Sequence, residues 1–386
     1  MTEGARDIAY DPSLRWGDGK GEGPLTIQSG LPRKDMIAQK HCTNTDKREN
    51  PPRPFFPRPS RDIAQAMDAT APTPSPFRTI ALPYGEEALE QAARWIAQGQ
   101  PVAVPTETVY GLAANARDSD AVAAIYAAKG RPSFNPLIVH VDGLAMAERL
   151  ARFDPVARKL ASAFWPGPLT MVLPVREDAG LSPLVMAGLP TVALRLPAHR
   201  AMQALIARGG TPLAAPSANR SGAISPTSAA HVAASLGGRI PFILDDGATT
   251  QGLESTIVAP EAGRVRLLRP GPVTPRMLEK ASGLPVVAAQ GGSIEAPGQL
   301  GSHYAPSKPV RLHATEAQTD EYLVGFGPVP GAINLSESGD LAEAAVNLFA
   351  ALHIADASSL PRIAVAPVPE DGIGLAINDR LRRAAA

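Results

Sequence analysis

The sequence predicts two α/β domains in tandem, the first built on a twisted sheet, and three observations lead there. From about residue 84, apolar residues recur by turns at helical spacing and in strand-like alternation. A glycine-rich stretch of low apolar content, 289–307, interrupts that pattern once, as a linker does. Beyond it the mixture resumes on a smaller scale. The boundaries expected are therefore 78–288 for the first domain and 308–386 for the second. Residues 1–77 show no sustained period and carry runs such as Pro72-Thr73-Pro74-Ser75-Pro76, so a disordered extension is expected there, with Met67 as an alternative start.

Taken in order, Leu89, Ala92, Ala93 and Ile96 mark a first helix that Gly99 can close, and 101–105 reads as a short strand with Thr106-Glu107-Thr108 at its exit. A helix from Asp118, its N-cap, to Lys129 turns Val122, Ile125 and Tyr126 inward. The strand 137–141 puts Ile138 and His140 on one face and Leu137, Val139 and Val141 on the other. A helix over 155–164 precedes strands at 169–174 and 191–196. In the second of these, Thr191 and Arg195 share a face roughly 13 Å apart at about 3.3 Å per residue, the span of an extended ligand. Thr227 caps a helix running to Leu236, 240–245 is a strand, and 257–258 forms a hairpin with 265–268. In the second domain 310–312, 322–325, 332–335 and 363–366 read as strands, with helices over 340–355 and 376–385. Arg380, Arg382 and Arg383 sit near the end of the last helix, where cations suit its dipole. The chain has no internal repeat.

Composition excludes several classes. The 37 basic and 37 acidic side chains cancel, so no global field draws the protein to nucleic acid or an anionic membrane. Cys42 is the only cysteine, which excludes an internal disulfide and a cysteine-rich zinc site and suits a reducing cytoplasm. Nothing approaches the run of about 18 apolar residues that a membrane span needs, and a cytoplasmic location is expected. Aromatics at 5% are too few for nucleic-acid stacking to be the main activity, so no stable tRNA binding is expected. Proline, 40 residues of 386, punctuates the motifs themselves and should lock loop shapes there.

The stretch Lys129-Gly130-Arg131-Pro132-Ser133-Phe134-Asn135-Pro136-Leu137 sets two cations and an amide in a stiff loop leading into a strand, an arrangement suited to an anion. For an arbitrary Lys-Gly-Arg the alternative is a pair of helix C-terminal cations. Pro105-Thr106-Glu107-Thr108-Val109-Tyr110-Gly111-Leu112 precedes it and Ala215-Pro216-Ser217-Ala218-Asn219-Arg220-Ser221-Gly222 follows. In that order, and together with Gly252-Leu253-Glu254-Ser255-Thr256, Leu268-Arg269-Pro270-Gly271-Pro272 and Ser302-His303-Tyr304-Ala305-Pro306, these segments resemble the YrdC-domain family of threonylcarbamoyl-AMP synthases in its long, two-domain form.

The resemblance implies a twisted mixed-sheet YrdC-like domain with a concave active-site face, followed by a smaller Rossmann-like α/β domain. It implies condensation of L-threonine, bicarbonate and ATP into threonylcarbamoyl-AMP and pyrophosphate, the product passing to the machinery that modifies tRNA next to the anticodon. Carried over residue by residue, Arg131, Asn135, Thr191, Ser217, Ser225, Arg269 and Tyr304 contact ATP. Thr108, His140, Arg195, the backbone at Ala215, and Ser255 contact L-threonine. Lys129 and Asn219 support, and Tyr304 makes the linker a lid over the site. Read from chemistry, Arg195 on a strand needs a partner, and a carboxylate gives a guanidinium bidentate pairing. No Ser-His-Asp order, Walker A loop or metal-ligand spacing is evident, so no protein nucleophile is expected and Lys129, Arg131 and Arg195 act by positioning. Mg²⁺ is expected with ATP, and no organic cofactor. Glu107 and Glu254 are minor candidates for water-mediated contacts. The alternatives are an RNA-binding YrdC module, a short YrdC paralogue, and the carbamoyltransferase that matures hydrogenases, which carries cysteine-rich zinc elements.

Overall fold

A computed structural model describes residues 77–132, 134–289, 295–298 and 303–386. The expected disordered extension, but for Phe77, lies outside the described residues, as do parts of the linker.

The first domain runs β1 (Ile80–Pro83), α1 (Glu86–Ala97), β2 (Val102–Pro105), β3 (Tyr110–Asn115), α2 (Ser119–Lys129), β4 (Ile138–His140), α3 (Leu144–Leu150), α4 (Pro155–Phe164), β5 (Leu169–Pro174), α5 (Pro183–Met186), β6 (Thr191–Arg195) and α6 (Arg200–Gly209). It continues through β7 (Leu213–Ala214), α7 (Ala229–Leu236), β8 (Phe242–Asp245), β9 (Thr256–Glu261), β10 (Arg264–Arg269), α8 (Pro275–Ser282) and β11 (Val286–Ala288). The strands form one 11-stranded sheet in the order β1-β8-β2-β3-β7-β4-β6-β5-β9-β10-β11. Pairing is mixed: β4 and β6 run parallel, while β7 is antiparallel to β4 and β5 to β6.

Local signals explain how the site-bearing segments are held. The Asp118 carboxylate accepts from the Asp120 and Ala121 amides at the start of α2, and Gly130, at φ 60°, ends the helix in a left-handed turn that points Lys129 and Arg131 onward. In β4, Leu137, Val139 and Val141 join the main helix-covered core, while Ile138 joins a smaller cluster on the opposite face of the sheet. β6 behaves alike, with Val192 and Leu194 in the main core and Ala193 opposite. Alternation thus sends His140 and Arg195 away from the helices. One expectation shifts by a residue. The α7 cap is Ser228, whose Oγ accepts the His231 amide, because the Thr227 hydroxyl is engaged with the His231 ring at 3.3 Å.

The second domain comprises β12 (Val310–Arg311), β13 (Glu321–Gly325), β14 (Ile333–Asn334), α9 (Leu341–Ala357), β15 (Arg362–Val365) and α10 (Gly374–Ala384). Its four strands lie in the order β12-β15-β13-β14, every pair parallel. The core of this small sheet takes in Val109, Ile224 and Leu253 of the first domain, so the two halves share apolar contacts. Gly252, at φ +69°, lets the backbone of α9 at Ala345 and Val346 close onto the loop before β9, where any Cβ would collide.

Candidate active site

Arg131, Arg195 and Arg269 line one cleft, on the sheet face opposite the helices. Thr108, His140, Ala215, Ser217, Ser255 and Tyr304 line it too. Each is placed by a different piece of the fold. Arg131 follows α2, His140 and Arg195 end the parallel pair β4 and β6, and Arg269 ends β10.

At one end, Arg195 is only 3% exposed and donates from Nη1 to the Thr108 hydroxyl at 2.9 Å. Its Nη2 lies 2.7 Å from the Glu107 carboxylate, whose other oxygen accepts the Ala198 amide at 3.1 Å. Thr108 is itself held by Thr106, the two hydroxyl oxygens 2.8 Å apart. His140 faces this group with a buried Nδ1 that has no hydrogen-bond partner. Burial, and next the Arg195 charge, push its pKa down to about 3, so the ring is neutral at physiological pH. Ser255 shares a 2.7 Å hydrogen bond with Thr170. The Ala215 amide is taken by the Ile138 carbonyl, so any ligand contact of the Ala215 backbone falls to its carbonyl oxygen.

At the other end, Arg131 donates from Nη2 to the Pro136 carbonyl at 3.0 Å, and Arg269 donates to the Ser255 carbonyl from Nε at 3.1 Å and Nη2 at 2.9 Å. Both guanidinium groups are held by neutral carbonyls, and of the two Arg269 also feels the charge of Glu254. Burial, partly offset by Tyr126 and Tyr304 and helped by the Arg269 charge, lowers the Arg131 pKa to about 10. Burial likewise lowers Arg269 and holds Lys129 far below its usual value, with Arg131 adding to the shift at Lys129. Buried cations that depress one another mark a place that an anion would relieve.

Lys129, Asn135, Thr191, Asn219 and Ser225 do not line the cleft. The Lys129 ammonium donates to the carbonyls of Ser217 and Asn219, and so clips the 215–222 loop to α2. Asn219 pins the same loop from within, its amide donating to the carbonyls of Arg220 at 2.9 Å and Ala223 at 2.8 Å. Both amide atoms of Asn135 are buried without hydrogen-bond partners beside Arg131, whose Nε meets the Asn135 carbonyl at 3.3 Å. Thr191 lies at the far end of β6 beside Pro174, so the span along this strand carries it beyond the cleft that Arg195 reaches. Ser225 donates its hydroxyl to Glu254.

Pro297, Gly298, His303 and Tyr304, all from the linker, add to the lining. Tyr304 holds φ at 64°, an uncommon value for a side chain of its size, and is buried between Phe349 and the Arg380 guanidinium. Gly298, at φ +85°, leaves the room that the Tyr304 hydroxyl and Arg269 fill. His303 is neutral, its pKa pushed down to about 3 by burial. Sequence reasoning passed over Thr106 and His303 as lining groups, and gave Glu254, which also lines the cleft, only a minor water-mediated role. The Thr-Glu-Thr and His-Tyr motifs were the available signal. Arg380 differs most from expectation. It is fully buried and donates from Nε to Glu254 at 2.9 Å, instead of lying at the helix end to serve the dipole.

Residues 94–271 match the Sua5/YciO/YrdC family model, described as telomere recombination, and 273–386 match the C-terminal domain of threonylcarbamoyl-AMP synthase. A threonylcarbamoyl-AMP synthase of Bacillus subtilis is 40% identical over 332 residues, covering 80% of this chain and 95% of that protein. One from Pyrococcus abyssi is 41% identical over 316 residues, 76% of this chain and 92% of its own. The chain belongs to the threonylcarbamoyl-AMP synthase family. The crystal structure of P. abyssi Sua5 complexed with L-threonine superposes with a TM-score of 0.72 at 39% identity, over 80% of this chain and 97% of that one. Membership of the synthase family thus extends through both domains and the mixed α/β architecture.

Proposed function

We propose that this chain is an L-threonylcarbamoyl-AMP synthase working by assembly and charge neutralisation. The carrying observation is that Arg131, Arg195 and Arg269 open into a single cleft, where their buried guanidinium groups can answer the anionic groups of an amino acid and a nucleotide together. In the first step the threonine amine attacks the carbon of bicarbonate, a C–N bond forms, and water leaves to give N-carboxythreonine. One oxygen of that new carboxylate then attacks the α-phosphorus of ATP. The O–P bond forms as the bond from the α-phosphorus to the bridging oxygen breaks, and pyrophosphate departs with the electron pair.

The division of the cleft follows its chemistry. Arg195, Thr108, His140 and Ser255 present one charge and several neutral hydrogen-bonding groups, the set that a hydroxyl amino acid needs. Arg131 and Arg269, with Ser217 and Tyr304, present the charges that a triphosphate needs and that would stabilise the leaving pyrophosphate. Magnesium enters as MgATP, part of the substrate. Glu107 and Glu254 already face guanidinium groups, and among the described residues no three metal-ligating side chains come together. The linker residues Gly298, His303 and Tyr304, which line the cleft, would shield the mixed anhydride from water. The product goes to the tRNA-modifying machinery, in the cytoplasm. No described helix is long and apolar enough to cross a membrane.

The test is pyrophosphate release with ATP, threonine and bicarbonate present together and then omitted one at a time. Release is expected only with all three. Release indifferent to threonine would overturn the assignment.

A further inference from the structure

Glu254 is a carboxylate in the wall of a cleft that must admit a polyanion. One of its oxygens accepts the Ser225 hydroxyl, and the other accepts Nε of Arg380 at 2.9 Å, from the last helix of the second domain. Arg380 is 0% exposed. Its Nη1 donates to the Pro270 carbonyl at 2.9 Å and to Asp379 at 2.8 Å, and its guanidinium carbon lies 5.2 Å from the centre of the Tyr304 ring. The charges of Glu254 and Arg269 also act on each other. Burial alone would raise the Glu254 carboxyl, yet Arg380 and then Arg269 hold it below its ordinary value, so it is ionised.

An apolar pair at this place would join the two domains at least as well as a buried ion pair, whose desolvation is costly. What it could not do is answer the charge of Glu254. We infer that Arg380 is a positioning residue for the nucleotide: it neutralises Glu254 from behind, and so keeps Arg269 and the Tyr304 ring directed toward ATP. The second domain thereby completes the nucleotide half of the active site through one side chain. This rests on the reading that Arg269 and Tyr304 contact the nucleotide.

The experiment measures dissociation constants at equilibrium, without turnover, for a non-hydrolysable ATP analogue and for threonine. Arg380→Met should weaken the nucleotide about tenfold or more and leave threonine within about twofold. In the Glu254→Gln background, where the cleft wall carries no charge for Arg380 to answer and Asp379 keeps its pairing with Arg383, adding Arg380→Met should weaken the nucleotide less than threefold. A purely structural role predicts equal losses for both ligands in either background, and that result would overturn the inference, as would unchanged nucleotide binding in Arg380→Met. Should Arg380→Met not accumulate as folded protein, Arg380→Lys takes its place, with a smaller loss expected and again confined to the nucleotide. A loss shared by threonine counts against the inference there too. Because pyrophosphate release is not the readout, failure here is distinct from failure of the synthase assignment.

Discussion

Arg195 has three partners before any ligand arrives, the Gly167 carbonyl, the Thr108 hydroxyl and the Glu107 carboxylate. A threonine carboxylate must therefore share this guanidinium with Glu107, and specificity falls to the neutral groups around it, Thr108, His140 and Ser255. Among the described residues Arg131 has no such carboxylate, and it donates to the carbonyls of Asn135 and Pro136. The two arginines should then fail differently. Hydrogen bonds to charged groups are worth about 1.5 to 3 kcal/mol, roughly 10- to 100-fold in a binding constant. Arg195→Ala should raise the threonine KM by that factor and leave the ATP KM nearly unchanged, while Arg131→Ala does the reverse. Steady-state kinetics with each substrate varied would show it, and equal effects on both KM values would defeat the division of the cleft. Arg131 and Arg269 were legible because each sits in a short motif, and Arg195 because alternation along its strand gives it a face. The groups that tune them were not, since Arg380 and Glu254 are 126 residues apart and no local pattern links them.

Among the elements, the legible ones are those with one wet face or a cap. α2 declares itself through Asp118 and Gly130, and β4 and β6 through alternation that also fixes which way His140 and Arg195 point. β3, reading Tyr-Gly-Leu-Ala-Ala-Asn, is buried nearly throughout and has no alternation to detect. The loop before β9 is a different case, because its demand comes from another domain. Gly252 faces the α9 backbone, whereas Gly263, also left-handed at φ +78°, has nothing near where a Cβ would stand. Both substitutions to alanine meet the left-handed penalty of about 1 to 2 kcal/mol. Only Gly252→Ala adds a backbone collision, which overpacking data put at about 1 to 3 kcal/mol more. Urea unfolding should show Gly252→Ala as the more destabilised variant by at least about 1 kcal/mol. Equal losses would mean that α9 can move off the loop without cost.

Across the whole molecule, the two-domain organisation could be read from the linker composition, but the way the domains grip each other could not. The grip includes a stack of His231 on α7 against His353 on α9, ring centroids 3.8 Å apart, and a 3.1 Å hydrogen-bonding contact of the His353 ring with the Ser225 carbonyl. Burial, and then His353, lower the His231 pKa to about 4, while His140 and His303 stand at about 3. The direction of the pH effect follows from these values. Above the unfolded value of about 6.5 the rings are neutral in both states and stability does not depend on them. Below it the unfolded chain binds protons that the folded protein refuses until the pH approaches 4 or 3. Stability must therefore fall as pH falls through this window, at a limiting rate of about 1.4 kcal/mol per pH unit for each such histidine. Denaturant unfolding at pH 7.5, 6 and 5 should show the decline, and His231→Gln should flatten it by up to one histidine's share. A slope that His231→Gln leaves untouched would mean that the ring takes up its proton in the folded state without parting the two domains, and the stack would then not contribute to pH sensitivity.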